Sequence, residues 1–131
     1  MIHIVCGLIG AGKSTFAQKQ KGIVTECEHG TKAEQIARTI KAYDAGSEVW
    51  HITTYPSMEE VAAFASYDDA EYIWINTTIR QAYWNILERS RARDIVGLDE
   101  TRRKNEVILQ KYCNSKIRFR IVDVYQSTER R

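Results

Sequence analysis

Residues 7–14 read Gly7-Leu8-Ile9-Gly10-Ala11-Gly12-Lys13-Ser14, and this stretch decides the fold. It fits G-x-x-x-x-G-K-[ST], a pattern that carries meaning only between a strand and a helix. Ile2, Ile4 and Val5 read as a buried strand before it, and Thr15-Phe16-Ala17-Gln18-Lys19 continue a helix that begins near Lys13. Glycines let such a loop curl, so that successive backbone N–H groups face a concavity suited to phosphate oxygens. The first helical turn adds unpaired N–H groups and the positive end of a dipole. Lys13 is then placed for the β- and γ-phosphates, and the Ser14 hydroxyl for Mg²⁺. Gly7, Ile9, Gly10, Ala11, Gly12, Lys13, Ser14 and Thr15 are therefore the candidate triphosphate-binding residues. A dinucleotide loop fits less well, because the glycines run G-x-x-G-x-G and a lysine follows them.

The rest of the chain supplies elements in alternation. Gly22–Glu28 reads as a short second strand ending in carboxylates. Thr31-x-x-Glu34 is a capping box, followed by Ile36, Ala37, Ile40 and Tyr43 at helical spacing until Gly46. Glu48–Thr54 is the third strand. Pro56 and the pair Ser57/Glu60 open a helix expected to bury Val61, Ala62 and Ala65. Tyr72-Ile73-Trp74-Ile75 is nearly unbroken in apolarity, as a strand covered on both faces should be. Thr78-x-x-Gln81 caps a helix with Ile79, Ala82, Tyr83 and Ile86 as its buried stripe, and Asp99 caps a last helix through Val107, Ile108 and Tyr112. Ile117–Tyr125 closes the sheet as an edge strand, with Ile117, Phe119 and Ile121 inward and Arg118 and Arg120 outward.

Such alternation with short crossovers implies a parallel sheet with helices on both sides. Ligands of these sheets bind beyond the carboxyl ends of the strands. That rule selects Gly7–Ser14, Glu26 and Glu28, Thr53 and Thr54, and Asn76.

Composition bounds the alternatives. The 131 residues, 44% hydrophobic with one proline, suit one domain spanning 1–131. No apolar run approaches the ~18 residues of a membrane span, and His3 and the glycines interrupt anything resembling a signal peptide. Cys6, Cys27 and Cys113 have no C-x-x-C spacing and read as small core residues of a reducing compartment, so a cytoplasmic protein is expected. The net charge of +2 is uninformative, but seven basic residues against four acidic ones lie between Arg80 and Lys104. Arg80, Trp84, Arg91, Arg102 and Arg103 are able to guide a nucleic-acid strand by charge and stacking, or to form an ordinary solvated flank.

Asp94-Ile95-Val96-Gly97 matches the D-x-x-G of GTPases by letter, but it follows an arginine-rich helix end, and N-K-x-D occurs nowhere. A motor ATPase would carry an acidic residue after an apolar strand, where this chain has Thr53-Thr54 and Asn76. Asp123, at the far end of the chain, reads as structural.

With GLIGAGKST after the first strand, TECE ending the second and ERSRARD ending the helix after the fourth, the chain resembles the P-loop kinase superfamily. It is most similar in pattern to compact polynucleotide-kinase-like and nucleotide-kinase-like members, and to small ATP-binding proteins of bacteriophages. The resemblance spans the whole chain. It implies a three-layer P-loop NTPase fold with a five-stranded parallel sheet ordered 2-3-1-4-5, ATP with Mg²⁺, and an arginine-bearing lid around 89–98 with Gly97 as a hinge. It also implies that lid arginines neutralise the transferring phosphoryl group or stack on adenine, a role carried to Arg89 and Arg93, with Arg91 third. Arg89 and Arg93, four apart, share a helix face.

In polynucleotide-kinase-like relatives an aspartate beyond strand two activates the acceptor hydroxyl. By that resemblance Glu28 is assigned as base or Mg²⁺-water ligand, with Glu26 second. A hydroxyl acceptor must lose a proton, whereas a nucleotide phosphate is already anionic. The expected activity is transfer of the ATP γ-phosphoryl group to a nucleotide or a single-stranded polynucleotide end, as 5′-hydroxyl or monophosphate. The alternatives are a slowly hydrolysing ATP-binding regulatory module and a kinase of a sugar or antibiotic hydroxyl.

Overall fold

The computed structural model describes residues 1–27, 30–89 and 97–124. Five strands form one parallel sheet ordered β2-β3-β1-β4-β5, as expected: β1 (Ile2–Cys6), β2 (Ile23–Thr25), β3 (Val49–Ile52), β4 (Ala70–Ile75) and β5 (Phe119–Val122). The crossovers carry α1 (Lys13–Gln18), α2 (Lys32–Asp44), α3 (Met58–Phe64), α4 (Ile79–Arg89) and α5 (Leu98–Cys113). β1 pairs with β3 from Ile2↔Val49 and with β4 from Ile2↔Ala70. Every residue of β1 and β3 is buried, so both faces of the sheet's centre are covered.

The strand cores match the apolar runs of the sequence, but β2, β3 and β5 are shorter than the stretches expected. Tyr125, the expected end of β5, lies outside the described residues. β5 is an edge strand, but its alternation is imperfect: Ile121 is 46% exposed rather than inward. Arg120 makes a two-point contact with Glu71 of β4, at 3.0 and 3.2 Å.

Both capping boxes form. Thr31 Oγ1 accepts from the Glu34 amide, and Ser57 Oγ from the Glu60 amide. The helix faces depart from expectation. α2 buries Gln35, Ile36 and Thr39, whereas Ala37 is exposed. α3 buries Glu60 and Phe64, leaving Val61, Ala62 and Ala65 in solvent, because Glu60 finds charged and polar partners inside. α4 buries Ala82 and Ile86, but Tyr83 is exposed. Gly97, not Asp99, is the N-cap of α5; Asp99 sits in its first turn, and Val107 faces solvent while Ile108 is buried.

α5 is fastened to the sheet near its C-terminus. Tyr112 stacks on Trp74 with ring centroids 4.0 Å apart, and Phe119 packs against both rings. Just beyond the helix, Tyr55 donates to Ser115 Oγ at 2.6 Å. Cys6 is buried, and Cys27 and Cys113 are exposed; all three are free thiols.

Candidate phosphate-binding site

The loop from Gly7 to Gly12 leaves β1 at the carboxyl edge of the sheet and enters α1 at Lys13. Its first amide, that of Gly7, donates to the Thr54 carbonyl at 2.9 Å, which ties the loop to the end of β3. Gly10 and Gly12 hold φ of 87° and 96°, conformations that side-chain-bearing residues rarely adopt. At Gly10 there is no space either: a Cβ would lie 2.8 Å from the Ala82 carbonyl oxygen and 2.9 Å from Ile86 Cγ1.

The outer side of the loop is gripped by polar side chains. The Asn105 carboxamide accepts from the Ile9 amide at 2.7 Å and donates to the Ile9 carbonyl at 3.1 Å. Asn85 donates to the Gly10 carbonyl at 2.8 Å, and its own Oδ1 accepts from Gln81. The Thr77 hydroxyl donates to the Ala11 carbonyl at 2.9 Å. None of these three stood out in the sequence. The one available signal was Asn105, a poor helix former on a long, otherwise favourable helix.

Lys13 Nζ donates to the carbonyls of Gly7 and Leu8 at 3.0 and 2.7 Å, so the ammonium lies against the start of the loop. The Ser14 hydroxyl donates to Glu26 Oε1. This contact brings the first residue after β2 to the first turn of α1. Arg38 helps to set it, donating to the Glu26 carbonyl at 2.6 Å. Gln35 bridges the Thr25 and Ile52 carbonyls at 3.0 and 2.8 Å, where β2 and β3 cease to pair. Thus Glu26, ranked second from sequence, is the carboxylate beside Ser14. Glu28, Arg91 and Arg93 lie outside the described residues, and Arg89 is the last residue of α4.

A Mg²⁺ ion takes oxygen ligands, commonly one or two carboxylates completed by water and substrate phosphates. The Ser14 hydroxyl and Glu26 carboxylate, side by side at the mouth of the loop, fit that donor set. Among the described residues no cluster of three or more His, Cys, Asp and Glu is present.

Two features flank the loop. Behind Thr53, Lys32 contacts Gln35 Oε1 at 2.7 Å, Thr53 Oγ1 at 3.3 Å and Glu60 Oε2 at 3.1 Å. Glu60 has no exposed surface, and it also accepts from Thr53 and from the Ser57 amide. On the other side, an open groove of about 420 Å³ runs between Ile9, Thr54 and α5, where Arg103, Lys104 and Lys111 line it with Glu100 and Val107. Of the proposed strand-guiding residues, Arg103 therefore borders the loop, while Arg80 and Trp84 are simply exposed on α4. Asn76 donates to Asp123 at 2.8 Å, a link between the ends of β4 and β5. No described helix is long and apolar enough to cross a membrane.

No protein-family model and no curated protein matches the sequence. Among solved structures the chain is similar to a deoxyadenosine kinase from M. mycoides with bound dATP, with a TM-score of 0.52 and 15% identity. The match covers 99% of this chain and 94% of that one. At such identity the likeness speaks for architecture alone. Strand order, loop and helix placement agree with it: the chain has the α/β P-loop NTPase fold.

Proposed function

We propose that the protein is a Mg²⁺-dependent phosphotransferase that moves the γ-phosphoryl group of ATP to a nucleotide or to a polynucleotide 5′ end. The observation that carries this reading is the contact of Ser14 with Glu26 at the mouth of a glycine loop that also presents Lys13. The kinase fold of the structural neighbour, solved with dATP, supports it. In this reading Lys13 swings from the Gly7 and Leu8 carbonyls to the β- and γ-phosphates, and the loop amides hold the phosphate oxygens. Ser14 and Glu26 hold Mg²⁺, which neutralises charge on the triphosphate. The bond from the γ-phosphorus to the β–γ bridging oxygen breaks as an acceptor oxygen bonds to that phosphorus, and ADP leaves. With Glu26 on the ion, a hydroxyl acceptor gives its proton to Glu28, the other carboxylate after β2; a phosphate acceptor needs no base. Arg89 and Arg93 neutralise the equatorial oxygens. In the groove along α5 Arg103, Lys104 and Lys111 outnumber Glu100, and this net positive charge supports an anionic acceptor over a neutral sugar. The whole chain acts as one domain, with residues 89–98 as its lid.

One observation favours a second reading, an ATP-binding module that turns over slowly. No acidic residue follows β3 or β4 directly, and Glu60, whose Oε1 lies 3.1 Å from Thr53 Oγ1, is already committed to His51 and Lys32. Incubation with γ-labelled ATP, Mg²⁺ and a panel of nucleosides, nucleotides and 5′-hydroxyl oligonucleotides separates the two. Labelled nucleotide or oligonucleotide is the expected result. Tight ATP binding with label released only as free phosphate would favour the module, and no ATP binding at all would sink both.

A further inference from the structure

We infer that Asn85 and Asn105, from the two helices that flank residues 89–98, are positioning residues that aim the loop amides and make triphosphate affinity depend on how α4 and α5 sit. The inference rests on the triphosphate reading of the loop.

The physical reason is peptide planarity. In a trans peptide the carbonyl of one residue points opposite to the N–H of the next. The carbonyls of Ile9, Gly10 and Ala11 are each drawn outward by a donor, from Asn105, Asn85 and Thr77. The amides of Gly10, Ala11 and Gly12 must then face the opposite way, into the loop. The Ala11 amide is taken by the Leu8 carbonyl at 3.0 Å, which closes the turn. Gly10 and Gly12 amides donate to no carbonyl among the described residues and are left facing the concave side. Asn105 thereby sets the direction of the Gly10 N–H and Thr77 that of Gly12, while Asn85 holds the Gly10–Ala11 peptide between them, whose N–H closes the turn.

Asn105 does more than fill space. It is 3% exposed, in the middle of a helix where a carboxamide is unfavourable, and burial of an amide costs free energy unless its polar atoms are paired. Both of its polar atoms are spent on a single residue, Ile9, ninety-six positions away. Asn85 reaches the adjacent residue from a different helix. Residues 9 and 10 thus hang from two separate supports. Beside Asn105, side chains of α4 and α5 meet around a gap of about 10 Å³, bordered by Ile86, Leu98 and Thr101, so Asn105 sits at the seam between the two helices. Any change in their spacing is transmitted to the loop through the two carboxamides.

The test measures binding of inorganic tripolyphosphate, MgATP and adenosine to the full chain and to Asn105→Leu, Asn105→Asp and Asn85→Ala, well below each variant's melting temperature. Tripolyphosphate and MgATP affinity should fall at least tenfold in the Asn105 variants and severalfold in Asn85→Ala, with adenosine binding unchanged. The Asn85/Asn105 double variant should lose less than the product of the single losses, because both act on one loop. A residue that merely stabilises the fold would lower the melting temperature and leave these affinities alone. That outcome, in both Asn105→Asp and Asn85→Ala, overturns the inference while the phosphate site stands. Absence of tripolyphosphate and MgATP binding by the unaltered protein overturns the site itself and the inference with it.

Discussion

His51 Nε2 lies 2.6 Å from Glu60 Oε2, and neither side chain has exposed surface. Burial holds the imidazole below its ordinary value, against the pull of the carboxylate. Burial also pushes the Glu60 carboxyl up, but the His51 hydrogen bond, the Ser57 amide and the Lys32 charge outweigh it and bring it down to about 2. A neutral imidazole therefore donates its Nε2–H to an ionised carboxylate, which leaves Nδ1 as an acceptor facing the hydroxyls of Thr39 at 2.7 Å and Thr25 at 3.4 Å.

Acid should destabilise the protein through this pair. Both folded-state values lie below those of the unfolded chain, so the unfolded chain takes up more protons as pH falls. The His51 contribution is complete above its ordinary 6.5 and erodes below it. The Glu60 contribution is complete above 4.5 and erodes toward about 2. Urea midpoints should be level between pH 6.5 and 8, decline below 6.5 and fall faster below pH 4.5. The first limb should vanish in His51→Asn, and midpoints that rise on acidification would contradict the assignment.

Glu60→Ala strips a carboxylate from Lys32, His51, Thr53 and the Ser57 amide at once. Loss of one member of a buried pair costs about 3–5 kcal/mol, whereas loss of a helix cap alone costs about 1 kcal/mol. Chemical denaturation distinguishes them. A loss near the smaller figure would reduce Glu60 to a capping residue.

Gly10→Ala combines a φ of 87° with a Cβ driven against the Ala82 carbonyl. A side chain held in that conformation costs about 1–3 kcal/mol before the clash is counted. Reduced thermal stability should accompany loss of MgATP binding, read by calorimetry. Normal affinity in this variant would mean that the loop does not need its present curl.

Ser14→Ala and Glu26→Gln should each remove most of the Mg²⁺ dependence of ATP binding while leaving the melting temperature nearly unchanged. Titrations with and without Mg²⁺ check this. If the ion still strengthens ATP binding in both variants as it does in the unaltered protein, the metal ligands lie elsewhere.

Lys13→Ala should abolish transfer with the fold intact, since the hydrogen bonds of its ammonium to Gly7 and Leu8 go to loop carbonyls. Arg93→Ala should lower kcat more than ATP affinity, by ~1,000-fold or more for a transition-state arginine. Steady-state kinetics with the identified acceptor decide both; an unchanged kcat removes Arg93 from the site.

The glycine loop, its strand and its helix were legible because the chemistry is local: a contiguous pattern of glycines, lysine and hydroxyl. Helix starts at Thr31 and Ser57 were legible for the same reason, since a cap and its acid are three residues apart. The inner faces of α2 and α3 were not. Periodicity assigns the core by hydrophobicity, and so it placed Val61 and Ala62 inside, whereas Glu60 is buried by His51 and Lys32, partners from other elements. Gln35 escaped in the same way, since its purpose is set by two strand ends that only the fold brings together. Glu26 follows β2 in the sequence, but that it meets Ser14 depends on where the strand stops, and it stops at Thr25.

The stack of Tyr112 on Trp74 turns α5 into a lever whose fulcrum sits near its C-terminus. Asn105 lies midway between that fulcrum and Leu98, the first residue of the helix. A rigid tilt that displaces Leu98 therefore reaches Ile9 through Asn105 at about half the amplitude. Strain applied at the helix's N-terminal arm is geared down before it arrives at the cradle.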